Sequence, residues 1–273
     1  MGIQGPSSSA GQSSYSEQED SLLHNMLPPE IISEILRHPD LSGFDKARLR
    51  RVCKLWVDPN LSIKTTNPDL QVFGPTVWKE YLGIEIEGEI PPPPKNIVEE
   101  VKALRESVKG EQEATECTLV LMPKGLIANK LIELMENPKK GHSTESKSIF
   151  GEILNEYGDK ENRESYWFLM TNDVIEESRG KTFQEQKDLV SNKTNGKCDL
   201  PAYLEALVGC ALHHVKNGEH LLNQERYTWT RCQDLVNGWP IAVGGLGGLS
   251  VFHNTYSLFH YVNSGALALR KFC

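Results

Sequence analysis

No stretch of this 273-residue chain approaches the ~18 continuous apolar residues of a membrane helix. The most apolar run, Ile241 to Phe252, is short and full of glycine, so the sequence predicts no membrane span. Positive charge is in deficit. Against 37 acidic side chains stand 29 Lys and Arg, a net charge of -8, which repels a phosphate backbone and argues against nucleic acid as a partner. No CxxC pair occurs among Cys53, Cys117, Cys198, Cys210, Cys232 and Cys273. Such scattered cysteines fit reduced thiols in a cytoplasmic setting better than a disulfide framework. The first twenty residues, MGIQGPSSSAGQSSYSEQED, lack the charged start and apolar centre of a secretory signal peptide. Their Gly, Ser and Gln content predicts a disordered tail over 1–21. No internal repeat is visible.

What is present is an ordinary globular composition, 38% apolar and 24% charged, long enough for a small module plus one larger domain. Apolar residues appear at helical spacing from Leu22. Leu27-Pro28-Pro29-Glu30 reads as a helix start with proline in its first turn, and Ile31, Ile32, Ile35 and Leu36 follow along one side. Pro39 ends that helix. In a second helix Leu49, Val52, Cys53 and Trp56 fall at i, i+3, i+4 and i+7, with a basic remainder, until Asp58-Pro59. A pair of about forty residues buries too little surface to stand safely alone and should pack on something else.

Residues 63–96 read as a connector. It holds an amphipathic turn or short helix over 68–82 and then Pro91 to Pro94, whose polyproline geometry suggests a semi-rigid spacer and a domain boundary. Residues 97–273 mix patterns. Strands are expected at Thr118–Met122, Ser165–Thr171, Tyr227–Cys232, Ile241–Val243 and Leu249–His253. Helices are expected at Asn129–Glu136, Ser148–Tyr157 and Phe183–Asn192, and, most clearly, along the Leu204, Leu207, Val208, Ala211, Leu212, Val215 stripe. The fold class that follows is α+β or α/β behind a small helical module.

Leu27-Pro28-x-Glu30-Ile31, Ile35-Leu36 and Val52-Cys53-x-x-Trp56 resemble, in order and spacing, the F-box, a three-helix module that binds the Skp adaptor of cullin-based ubiquitin ligases. Val77-Trp78-Lys79 looks like the tryptophan that commonly closes that motif, after an enlarged gap. The resemblance implies that Leu27, Pro28, Ile31, Ile35, Leu36, Val52, Cys53 and Trp56 build the adaptor-facing or module-packing surface over 22–62. The remainder of the chain is similar to a family of F-box-like proteins of chlamydia-like intracellular bacteria. Phe73-Gly74-x-x-x-Trp78-Lys79-Glu80-Tyr81, Ser165 to Thr171, Tyr227-Thr228-x-Thr230-Arg231-Cys232-Gln233 and Leu269-Arg270-Lys271-Phe272 carry it. That likeness implies delivery into a eukaryotic host cytoplasm and an unknown protein target bound by 97–273. It implies no catalytic residue, no cofactor and no metal.

Gly244 to Gly248 lacks the Lys-Ser/Thr of a phosphate loop and leads into a strand, so a glycine-rich hairpin is expected. Cys210 and His214 lie one helical turn apart but off the apolar stripe, and read as surface residues rather than metal ligands. A Cys/His hydrolase using Cys117 or Cys232 with His142 or His253 is the alternative to a non-catalytic adaptor. Tyr227, Trp229 and Arg231 alternate along one strand face, as a target-binding face or a packed cluster.

Overall fold

Cys117–Met122 is apolar at both parities, as a strand buried on both faces must be. In the computed structural model this strand, β2, is an inner strand of a four-stranded sheet. Residues 70–109, 116–144, 146–149, 151–222, 228–244, 249–253 and 263–272 are described. The chain divides into two units, Met1–Ser62 and Ile63–Cys273, and all described residues belong to the second.

The elements among the described residues begin with β1 (Leu70–Phe73), α1 (Pro75–Val77) running into a π-helical turn (Trp78–Leu82), α2 (Ile97–Val108) and β2. Then come α3 (Ala128–Glu136), β3 (Ser146–Ile149), α4 (Gly151–Tyr157), β4 (Tyr166–Thr171), a 3-10 turn (Glu176–Ser178) and α5 (Phe183–Lys193). The last are α6 (Tyr203–Asn217), β5 (Trp229–Val236), β6 (Trp239–Gly244), β7 (Leu249–His253), β8 (Ser264–Gly265) and β9 (Leu269–Phe272). Two mixed sheets result, ordered β1-β2-β4-β9 and β3-β7-β6-β5-β8, so the domain is α+β. In the first sheet β1 and β2 are parallel and the other pairs antiparallel; in the second β3/β7 and β5/β8 are parallel.

Strand alternation sorts the first sheet between two cores. Leu70, Val72, Leu119, Leu121, Trp167 and Leu169 join Ile97, Val101 and Leu104 of α2 and Val190 of α5. Phe73, Val120, Met122, Phe168 and Met170 face the other way, toward α3, α6 and strands β5 to β7. Helix α6 touches β2 of one sheet and β5 and β6 of the other. That position explains why it is buried almost all round, Cys210 and His213 included. The expectation that Cys210 lies at the surface is therefore corrected: a helix packed against both sheets has little polar face left to give to solvent.

Three further expectations change. The segment 70–82 is not a connector, because β1 pairs with β2 and Trp78 is fully buried with its indole N–H donating to Leu121 O at 2.7 Å. The larger domain thus includes residues N-terminal to 97, and Pro91–Pro94 is a loop inside it: the Trp167 indole donates to Pro91 O. Ser148 and Ile149, expected to begin a helix, belong to β3, and that helix starts at Gly151. The glycine-rich hairpin is borne out, since β6 and β7 pair antiparallel with Gly244 opposite Ser250 on either side of residues 245–248.

Candidate functional site

Leu27, Pro28, Ile31, Ile35, Leu36, Val52, Cys53 and Trp56 lie outside the described residues, as do the N-terminal tail and Tyr227. Trp229 and Arg231 are in β5 and differ in exposure: Trp229 is half-buried, Arg231 fully buried. Of the target-binding residues expected at Tyr227, Trp229 and Arg231, Arg231 is corrected: a guanidinium without solvent access cannot meet a protein target. Instead Arg231 Nη1 donates to Lys181 O at 2.8 Å and to Gln186 Oε1 at 3.2 Å. The Gln186 amide in turn donates to Ser178 O and Ser264 O, joining α5, the 3-10 turn and β8. Arg231 Nε and Nη2 have no partner among the described residues, and burial lowers its pKa.

Arg179, beside this network, is held by Glu176 at 3.1 Å and by Thr228 Oγ1 at 3.1 Å. Thr182 caps α5 through a reciprocal capping box with Glu185. The pairing of β5 with β6 is irregular between Arg231 and Leu235, as a β-bulge makes it, and there Asp234 accepts from the Tyr203 N–H in the first turn of α6. Glu205 completes that helix start. It accepts from the Ala202 N–H, the Tyr166 hydroxyl and the Lys271 ammonium at 2.7, 2.6 and 2.8 Å.

A second polar cluster sits at the C-terminal end of α6. The His214 and His220 rings lie 4.8 Å apart, His142 meets His214 edge-on at 6.4 Å, and His214 Nε2 lies 3.2 Å from Ser143 O. Glycine permits this packing: a Cβ on Gly141, at φ +94°, would lie 2.0 Å from Val215 O, and Gly218 ends the helix at φ +74° against His142. Burial lowers the pKa of His213 and of His220. Among the described residues no group of three His, Cys, Asp or Glu side chains is placed to hold a metal ion.

The Cys/His hydrolase reading fares poorly on geometry. Cys117 and Cys232 are both fully buried, and burial foremost, then Asp234, pushes the Cys232 thiol well above its ordinary value. Burial likewise raises Cys198 to about 11 and Cys210 to about 12. A nucleophilic cysteine needs the opposite, a lowered pKa and access to substrate. His142 has histidines and the helix end beside it, and the side chain of His253 is outside the described residues. No family profile, curated protein or solved structure matches the chain.

Proposed function

We propose that the chain is a non-catalytic substrate adaptor: residues 22–62 dock on a Skp-type adaptor of a cullin-based ubiquitin ligase, and the α+β domain holds a protein target. The observation that carries this reading is the order and spacing of Leu27-Pro28-x-Glu30-Ile31, Ile35-Leu36 and Val52-Cys53-x-x-Trp56. Division of the chain after Ser62 is consistent with it, since all of these positions then share one unit. The enclosed Cys117 and Cys232 count against the hydrolase alternative. An adaptor of this kind accelerates transfer by raising the effective concentration of the target beside the loaded ligase and by orienting its lysine. The resemblance to F-box-like proteins of intracellular bacteria supports a host cytoplasm as the setting of that activity.

The test is direct. Full-length protein mixed with purified Skp adaptor is expected to co-elute as a complex in gel filtration, and the Leu27→Ala/Pro28→Ala variant is expected to elute alone. No complex, or a complex indifferent to the double substitution, overturns the proposal.

A further inference from the structure

We propose that the segment Ile90–Lys95, exposed at Ile90, Pro92 and Lys95 and half-buried at Pro91, Pro93 and Pro94, is a docking ligand for a proline-recognition domain, one whose groove is walled by aromatic rings and rimmed by basic side chains. The inference rests on different residues from the adaptor reading and stands without it.

Backbone chemistry comes first. Each proline ring holds φ near -65°, and Ile90, Pro91, Pro92 and Pro93 each precede a proline, which pushes them out of the helical region. The run is therefore confined to an extended, left-handed polyproline geometry of three residues per turn, and Pro91 and Pro94 recur on the same edge. A groove that binds such a segment loses little affinity to ordering it.

The domain also clamps the run at its two ends. The Trp167 indole N–H donates to Pro91 O at 2.8 Å, and the Ile97 N–H, at the start of α2, donates to Pro94 O at 3.2 Å. Pro92 is exposed, and among the described residues no hydrogen bond reaches the carbonyls of Pro92 and Pro93. These are the acceptors that a polyproline ligand offers to donors between the aromatic walls of its receptor. Apolar surface is concentrated here as well. Three large apolar side chains are exposed among the described residues, and two flank the run: Ile90 (36%) directly before it and Val98 (40%) in the first turn of α2. Packing inside the domain accounts for neither.

Charge selects among grooves that accept polyproline, those of SH3, WW and EVH1 domains. Glu87 and Glu89 precede the run, exposed and without partners among the described residues, whereas Glu85 is engaged by Lys79 at 2.7 Å. The free acidic flank favours a basic rim and disfavours an acidic one, because like charges set opposite each other at an interface penalise the wrong partner. Acids upstream of the prolines fit an EVH1-type groove whose rim is basic better than an SH3 groove whose rim is acidic.

Full-length protein is titrated, without Skp adaptor, with a purified EVH1 domain of basic rim and separately with an SH3 domain of acidic rim. Binding to the EVH1 domain is expected, at least about tenfold tighter than to the SH3 domain. The Pro92→Ala/Pro93→Ala variant should weaken it about tenfold or more at unchanged melting temperature. Ile90→Ser, at an exposed position, is the second variant should the first unfold, with the same loss expected. Glu87→Lys/Glu89→Lys should narrow the preference between the two domains. Absence of EVH1 binding, binding that survives both the proline and Ile90 changes, or equal affinity for the SH3 domain overturns the proposal.

Discussion

Glu205 in α6 and Arg231 in β5 are excluded from water almost equally, at 1% and 0% exposure, yet their surroundings treat their charges in opposite ways. Glu205 has both carboxylate oxygens occupied, by a backbone N–H, a phenol and an ammonium whose own side chain remains 45% exposed. Arg231 uses only Nη1, toward a carbonyl and an amide oxygen, and no carboxylate faces it within the described residues. A buried charge stabilises a fold only when its lost hydration is replaced. By that measure Glu205 holds α6 to β4 and β9, whereas Arg231 positions Gln186 at a cost in solvation. The difference follows from place in the chain: Glu205 lies three residues beyond Ala202, whose N–H opens the helix, while Arg231 enters the interior from a strand that bulges immediately after it.

Glu205→Ala should have the largest effect, a loss of about 3 kcal/mol, since it removes three charge-assisted contacts including the helix-start N–H. Urea denaturation measures it, and a loss below about 1 kcal/mol would mean the network carries little of α6. Arg231→Met keeps an apolar stem and removes the buried charge with its unreplaced hydration; stability should move by less than about 1 kcal/mol in either direction. A loss matching that of Glu205→Ala would erase the contrast, and would show that the unused N–H groups of Arg231 are satisfied in solution.

The smallest effect concerns His213 and His220, where burial is met by loss of the charge itself. Both are held below the ordinary histidine value by burial, His220 also by His214 and His213. A depressed folded-state pKa means that the unfolded chain takes up protons first. The stability is thus complete above about pH 6.5 and declines as pH falls below it. Denaturation at pH 7.5 and pH 5.5 should show that decline, and His213→Gln should reduce it. Greater stability at pH 5.5 would contradict burial as the cause.

The elements most legible in the sequence were those with strong local signals. Thr118–Met122 and Ser165–Thr171 are apolar runs of strand length that match β2 and β4, and Asn137-Pro138 stops α3 where expected. Helix α2 carries Ile97, Val101, Leu104 and Val108 at i, i+4, i+7 and i+11 with Glu, Lys and Arg between them, an amphipathic spacing that is legible in the sequence although no helix was expected there. Leu70–Phe73 and Leu269–Phe272 are four-residue strands, too short for alternation to announce them, and become strands through their pairing with β2 and β4. Of the candidate site, the alternation that puts Trp229 and Arg231 on one strand face was legible; whether that face met water was not. Periodicity places a side chain on a face, and what covers the face belongs to other elements.

The proline run of residues 91–94 illustrates the division. Four consecutive rings determine an extended backbone from sequence alone, because the constraint on φ is covalent and the clash with each preceding residue is local. That the run is a clamped loop rather than a boundary between domains was decided by Trp167, distant in sequence, and by the α2 N-terminus. The same holds for the buried charges. Sequence supplied the helix start that Glu205 serves and the strand that carries Arg231, since both are short-range patterns of backbone hydrogen bonding. Their unequal satisfaction depends on Lys271, Tyr166, Lys181 and Gln186, brought near only when two sheets close around one helix.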